Sequence, residues 1–154
     1  MKKLNSIIEN ATETDLLFII NGIKKICKIE KEIPEKDSIL IKNTKEAIRN
    51  KKIRIAKTNN KTLGFVQFTF SSKEPYGLSY GKRKEFCWLE WMYILEPYQR
   101  RGVGHLLHND IKRICRKNKI KEIILDVFEI NEIAKNFYKK EKFNYFIHIL
   151  REKI

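Results

Sequence analysis

Two carboxylates, Glu90 and Asp126, stand in runs that are otherwise apolar on both faces: EFCWLEWMYIL at 85–95 and EIILDVFE at 122–129. Such runs read as central strands covered on both sides, where an ionised acid is costly unless it has a partner or a task. Burial raises a carboxyl pKa toward neutrality, and a carboxylate so tuned suits a base that takes a proton from an amine, directly or through water. The other reading of each is an acid paired with an arginine, a lysine or a backbone amide. Between the two lies YQRRGVGHLL, 98–107, with two glycines among polar and basic residues.

A strand that turns through Gly102 and Gly104 into a helix leaves backbone amides open at the helix's positive end, which is an anion site. Glycine admits close approach of the ligand's oxygens, and Gln99, Arg100 and Arg101 add donors and charge. A diphosphate suits this description. The nucleoside-triphosphate loop is excluded, since no lysine and serine or threonine follow Gly104. The dinucleotide fingerprint is excluded because Leu107 stands where its third glycine would be. What remains is Q-x-x-G-x-G, whose plain alternative is a tight strand-to-helix turn.

The elements that must position these groups follow from periodicity. A short strand near 5–9 precedes a helix capped by Thr12 or Thr14, with an apolar stripe from Leu16 to Cys27 weakened locally by Gly22. A second helix is expected over 38–50, then two strands around the turn TNNK. Residues 71–84 read as a long loop, in the length range that is often functional. After the 85–95 strand and the glycine pair, Val103, Leu106, Leu107, Ile111, Ile114 and Cys115 mark an amphipathic helix ending near the basic RKNK. A strand over 122–129, a short helix in NEIAKNFYKKEKF and an alternating closing strand in FNYFIHILRE complete the chain.

At 154 residues the expectation is one domain spanning 1–154, with 42% hydrophobic and 34% charged residues, as in a soluble protein. No apolar stretch reaches the roughly 20 residues that cross a bilayer, and the N-terminus turns polar too soon for a signal peptide, so the reading is cytoplasmic with no membrane partner. Cys27, Cys87 and Cys115 are odd in number and widely spaced, which suggests reduced core thiols and neither a disulfide framework nor a metal site. The net charge of +14 invites a nucleic-acid-binding module. Basic residues, however, occur throughout, and the aromatics fall in buried-looking strand patterns. The densest basic stretch, residues 94–121, carries eight basic side chains against Glu96 and Asp110 and surrounds the glycine pair.

In these features the chain resembles the GNAT superfamily of N-acetyltransferases, which binds the pyrophosphate of acetyl-CoA on a [QR]-x-x-G-x-[GA] loop. Gln99 to Gly104 is that loop here. IIENATETD is similar to the family's opening strand and helix cap, LGFVQFTF to its third strand, LEWMYILEPYQRRGVG to its fourth strand and loop, and NEIAKNFYKKEKF to its late N-x-x-A-x-x-x-Y element. Two departures are Lys142, where the family has glycine before Phe143, and Glu96-Pro97, which reverses the commoner order. The resemblance implies an α/β (α+β) fold with a mixed, mostly antiparallel sheet of six to seven strands, about four helices, and strands 4 and 5 splayed. It implies acetyl-CoA as cofactor, no metal, a small-molecule amine acceptor, no nucleic acid and, by the superfamily's habit, a homodimer.

The resemblance also assigns residues. Glu90, somewhat favoured, or Asp126 is the base. Backbone amides at Met92, Tyr93 and Ile94 meet the oxyanion where the fourth strand bulges. Gln99, Arg100, Arg101, Gly102, Val103, Gly104 and His105 hold the phosphates. Asn131 caps its helix beside the pantetheine arm, and Tyr138 returns a proton to the departing thiolate. Both His105 and His108 otherwise read as exposed surface residues. Tyr76, Tyr80 and Lys82, with Arg83 and Lys84, lie in the 71–84 loop that precedes the Glu90 strand. Their basic character suits an anionic acceptor such as glucosamine 6-phosphate, because little acid is apparent for a polyamine or an aminoglycoside. A protein N-terminus or lysine is the alternative acceptor.

Overall fold

The computed structural model describes residues 5–59, 61–73, 85–145, 149–150 and 152. In chain order the elements are β1 (Ile7–Asn10), a 3-10 turn (Glu13–Asp15), α1 (Leu16–Glu30), α2 (Asp37–Arg49), β2 (Ile53–Thr58) and β3 (Lys61–Ser71). Then follow β4 (Phe86–Ile94), a 3-10 turn (Glu96–Tyr98), α3 (Val103–Lys117), β5 (Ile123–Ile124) and α4 (Glu132–Lys140). The entry to α1 is fixed by Asp15, whose carboxylate accepts from the Thr12 amide at 2.9 Å.

The sheet runs in the order β1-β2-β3-β4-β5, antiparallel throughout except for the parallel β4–β5 pair. Its two faces carry separate cores. On one side α1 and α2 pack Ile19, Ile23 and Leu40 against Ile53, Ile55, Phe65 and Tyr93. On the other, Leu107, Ile111 and Cys115 of α3 pack against Val66, Phe68, Cys87 and Leu89. All three cysteines are free and buried, as the spacing implied. Among the described residues no helix is long and apolar enough to cross a membrane.

Two features of β4 depart from a plain strand, and both matter for chemistry. Gln67 of β3 pairs with Trp91 and Phe68 with Leu89, so Glu90 is an extra residue without a cross-strand partner. This bulge lets Glu90 and Trp91, adjacent in sequence, face the same side, while Leu89 and Met92 both face the α3 core. It lies two residues before the Met92–Ile94 position expected for it. The second feature is the splay: β5 pairs only with Cys87 and Trp88, after which the strands part.

The sequence expectation of six to seven strands is corrected to five among the described residues. The 122–129 run forms just two strand residues because the chain leaves β4 at the splay, and Asp126 is exposed, not buried as its apolar neighbours suggested. The closing strand is not seen in residues 143–145 or 149–150, and 146–148 lie outside the described residues. The turn after α4 survives without the family's glycine: Lys142 itself adopts a left-handed φ of 68°. Phe143 N–H then donates to Tyr138 O at 3.0 Å, closing the helix.

Candidate active site

The glycine pair sits where β4 hands over to α3. The first ladder bond of the helix is Leu106 N–H to Gly102 O at 3.0 Å, so the amides before it have no partner within the helix. Gly102 has φ of 85° and nothing within 4 Å of where a Cβ would project, which leaves open space beside the bare backbone. Gly104 is bare for a different reason: a Cβ there would lie 2.9 Å from the Phe137 ring of α4. Arg100, at a left-handed φ of 58°, and Arg101 are exposed, and the Arg101 guanidinium stands 5.8 Å from the Tyr98 ring centre. Val103 is buried, so its amide alone is available.

Several loop expectations change with the side chains in view. The Gln99 amide donates to Ile94 O at 3.0 Å, bracing the loop against the end of β4 instead of pointing at a ligand. Both His105 ring nitrogens are engaged: Nδ1 with Glu141 at 2.8 Å and Nε2 with the Asn109 amide at 2.8 Å. His108 is buried, not exposed, with Nδ1 on the other Glu141 oxygen at 2.7 Å. Burial pushes its pKa down against the pull of Glu141. One carboxylate thus clips the last turn region of α4 to the first turns of α3, beside the Phe137–Gly104 contact.

Along the splay, strand alternation sorts the amides. Leu95 N–H donates to Leu63 O at 2.8 Å, so Tyr93 and Trp91 also point their amides toward β3, while Met92 and Ile94 point theirs toward the side β5 has left. Tyr93 therefore departs from its expected role; its ring packs with Phe18 and Phe65 in the core. Asn131 does cap α4, its Oδ1 accepting from Ala134 N–H at 3.1 Å, and its amide donates to Glu30 at 2.9 Å. Tyr138 is half-buried between Phe137 and Phe143. Burial, then the carboxylates of Asp126 and Glu30, push its phenol pKa well up, which keeps it protonated.

Glu90 opens into a cleft of about 580 Å³ between the sheet and the α1–α2 wall. Burial raises its carboxyl above the ordinary value, against a hydrogen bond from the Gln67 amide and the charge of Lys52. Lys52 in turn donates to Thr69 at 3.2 Å. The cleft's charges run opposite to those of the whole chain: among the described residues Glu30, Glu32, Glu35, Glu46 and Glu90 line it, with Lys52 as the one cation. This corrects the expectation that little acid is available there. Those acids were hard to see in sequence, because three flank a helix end and a connector rich in lysine, and Glu46 looks like a solvated helix position. Gln67 and Lys52 were likewise missed. Tyr76, Tyr80 and Lys82 lie outside the described residues.

An open sheet that parts beside a helix start with open amides, with a carboxylate at the parting strand's bulge, suits a group-transfer enzyme that holds a phosphorylated carrier. The sequence profile of the acetyltransferase (GNAT) family matches residues 22–144, and the chain belongs to that family. No curated protein sequence matches it. Solved structures share the fold. A possible acetyltransferase from Clostridium difficile 630 is 22% identical, with TM-score 0.74 over 97% of both chains. A predicted acetyltransferase with acetyl-CoA from Clostridium acetobutylicum is 17% identical, with TM-score 0.73 over 96% of each. Aminoglycoside N-acetyltransferase AAC(6')-Iy in complex with CoA is 16% identical, with TM-score 0.78 over 97% of this chain and 95% of that one.

Proposed function

We propose that this acetyltransferase moves an acetyl group from acetyl-CoA to a primary amine on a small acceptor carrying two or more cationic groups, of polyamine or aminoglycoside type. The observation that carries the reading is the cleft in which, among the described residues, Glu90 is joined by four further glutamates and one lysine. Such a lining attracts ammonium groups and repels a phosphate, because like charges in a partly dry site are strongly disfavoured. It argues against the amino-sugar phosphate expected from the 71–84 loop. That AAC(6')-Iy is by name an aminoglycoside enzyme is consistent with the same chemistry.

The chain's own groups fit the carrier. Open amides from Gly102 onward and the exposed Arg100 and Arg101 suit a pyrophosphate. Met92 and Ile94 amides line the splay that leads toward the bulge. Acetyl-CoA, when bound, supplies an acetyl group activated as a thioester. Glu90 takes the proton from the attacking amine, a role that a carboxyl held above its ordinary value by burial suits better than an exposed one. The Met92 and Ile94 amides donate to an oxygen that gains negative charge. Tyr138 holds the proton that the leaving sulfur takes up, and solvent restores it. Asp126, exposed and acting on Tyr138 and Glu30 through its charge, is a poor second candidate for the base.

Thiol release from acetyl-CoA is the test, with spermidine and neamine against glucosamine 6-phosphate. A kcat/KM at least about tenfold higher for the cationic amines is expected, equivalent to about 1.4 kcal/mol of preference. Faster turnover of the phosphate sugar would overturn the reading.

A further inference from the structure

The Gln67 side chain reaches Glu90 across the β3–β4 bulge, its Nε2 donating to Glu90 Oε2. Its other end is an anomaly. Gln67 Oε1 is buried and has no hydrogen-bond partner among the described residues. A buried, unpaired carbonyl oxygen costs about 1–3 kcal/mol, so the position calls for a reason. An aliphatic side chain of similar length would fill the same space without that cost.

A carboxylate needs a donor beside it, and a carboxylic acid, once protonated, needs an acceptor. A glutamine amide can serve as either after a half-turn of its terminal torsion, which is broad and roughly two-fold. What ordinarily prevents such a turn is a second partner that pins the amide's other end. Here the other end has none among the described residues, so the state of the Glu90 carboxyl decides the orientation. Thr69, the next residue on this face of β3, accepts from Lys52, and among the described residues no donor reaches Gln67 Oε1.

We infer that the Gln67 amide reverses each time Glu90 gains or loses its proton, holding the carboxyl in one place through both states as a positioning residue for the base. This rests on the proposed role of Glu90 as proton acceptor. When the proton leaves the acceptor's nitrogen for a Glu90 oxygen, the new O–H donates to Gln67 Oε1; when solvent removes it, Nε2 donates again. Among the described residues the charges facing the pair are Lys52 just before β2, Glu30 from α1, Glu32 and Glu35 from the connector and Glu46 from α2. The carboxyl therefore does not swing toward Lys52 or into the cleft during turnover, and the bulge geometry is kept.

Nuclear magnetic resonance on the free protein tests this without any acceptor. The Glu90 side-chain ¹³C signal gives its titration midpoint, and the Gln67 side-chain ¹⁵N–H₂ signals are followed over the same pH range. Reversal requires the Gln67 signals to change with the Glu90 midpoint. It also requires Gln67→Met to raise that midpoint by less than about half a unit, since the acceptor orientation taken up with the protonated acid offsets most of the lowering that the Nε2 hydrogen bond gives the ionised form. A one-way donor stabilises the ionised form alone, so its loss would raise the midpoint by about one to two units. Gln67 signals that stay flat through the midpoint, or a rise of that size in Gln67→Met, overturn the inference. If Gln67→Met does not fold, the titration of the unaltered protein decides alone. Absence of thiol release with every amine would count against the proposed function, whereas the titration reads the Gln67–Glu90 pair whether or not any amine is acetylated.

Discussion

The two glycines of the loop serve different ends, and replacing each by alanine separates them. At Gly104 a methyl would sit 2.9 and 3.1 Å from two Phe137 ring atoms, where carbon atoms rest at about 3.5–4.0 Å. The ring must retreat by about half an ångström or more. Alanine gains about 1 kcal/mol of helix propensity, while overpacking costs about 1–3 kcal/mol, leaving a net loss near 1 kcal/mol. For a chain of this size that lowers Tm by about 2–4 °C. Because Phe137 adjoins Tyr138 on α4, the displacement reaches the proposed acid, and misplacement of that order costs up to about a hundredfold in kcat. CoA affinity, measured by isothermal titration calorimetry, should change less than about threefold, since the Gly104 methyl points at α4 and away from the open amides. Gly102→Ala should behave oppositely. Its methyl meets nothing within 4 Å, so packing is untouched, but φ of 85° strains the backbone and the methyl occupies the space a phosphate oxygen would enter. Affinity should fall at least about tenfold with a modest loss of Tm. If Gly104→Ala abolished CoA binding at unchanged Tm, while Gly102→Ala bound normally, the division of labour would be wrong.

Other expectations concern the chemistry and one strained turn. Glu90→Gln should lower kcat with a cationic amine by about a hundredfold or more in the thiol-release assay. Because burial raises the Glu90 pKa and the ionised form is the working one, the activity of the unaltered protein should fall as pH drops through a midpoint above the ordinary carboxylate value. A pH–rate profile with its acid limb at or below that ordinary value would count against the assignment. Tyr138→Phe should cut kcat by about tenfold to a hundredfold while leaving KM for acetyl-CoA near its original value, as removal of a proton donor does. Unchanged kcat would remove Tyr138 from the mechanism. Lys142→Gly relieves a left-handed φ of 68° and should raise Tm by about 2–4 °C, in line with a gain near 1 kcal/mol. A lower Tm would show that the lysine side chain outweighs the strain.

Much of the fold was legible because its signals are local. Period-3.6 stripes gave α1 and α3, the turn chemistry at residues 58–61 gave the β2–β3 hairpin, and the doubly apolar 85–95 run gave β4, a strand covered on both faces. The 122–129 run misled for a physical reason. It is as apolar as a core strand, yet the sheet opens beside it, so pairing stops at Ile124 and Asp126 faces solvent. No local pattern announces where two strands part. The Glu90 bulge was similarly hidden, since a bulge is a mismatch between two strands and each alone looks regular.

The site was half legible for the same reason. The loop from Gln99 to Gly104 is a contiguous motif, and its glycines and arginines are where a linear pattern puts them. Gly104, however, is bare for the sake of Phe137, 33 positions later, and His105 is occupied by Glu141; neither partner is visible from the loop's own residues. The cleft beside Glu90 draws on α1, the connector, α2, β3 and β4, so its acidity is a property of the assembled fold in a chain whose overall balance is +14. In the sequence, Gln67 is the one polar residue between Phe65-Val66 and Phe68 of LGFVQFTF. Its orphaned oxygen is apparent once the bulge brings Glu90 beside it.

A crystal structure with bound CoA tests the central claim most directly. The pyrophosphate should rest on the amides following Arg101, with the pantetheine arm along Met92 and Ile94 and the thiol ending near Glu90 and Tyr138. Phosphates held anywhere else, or a thiol that ends on the α3 face of the sheet, would contradict it.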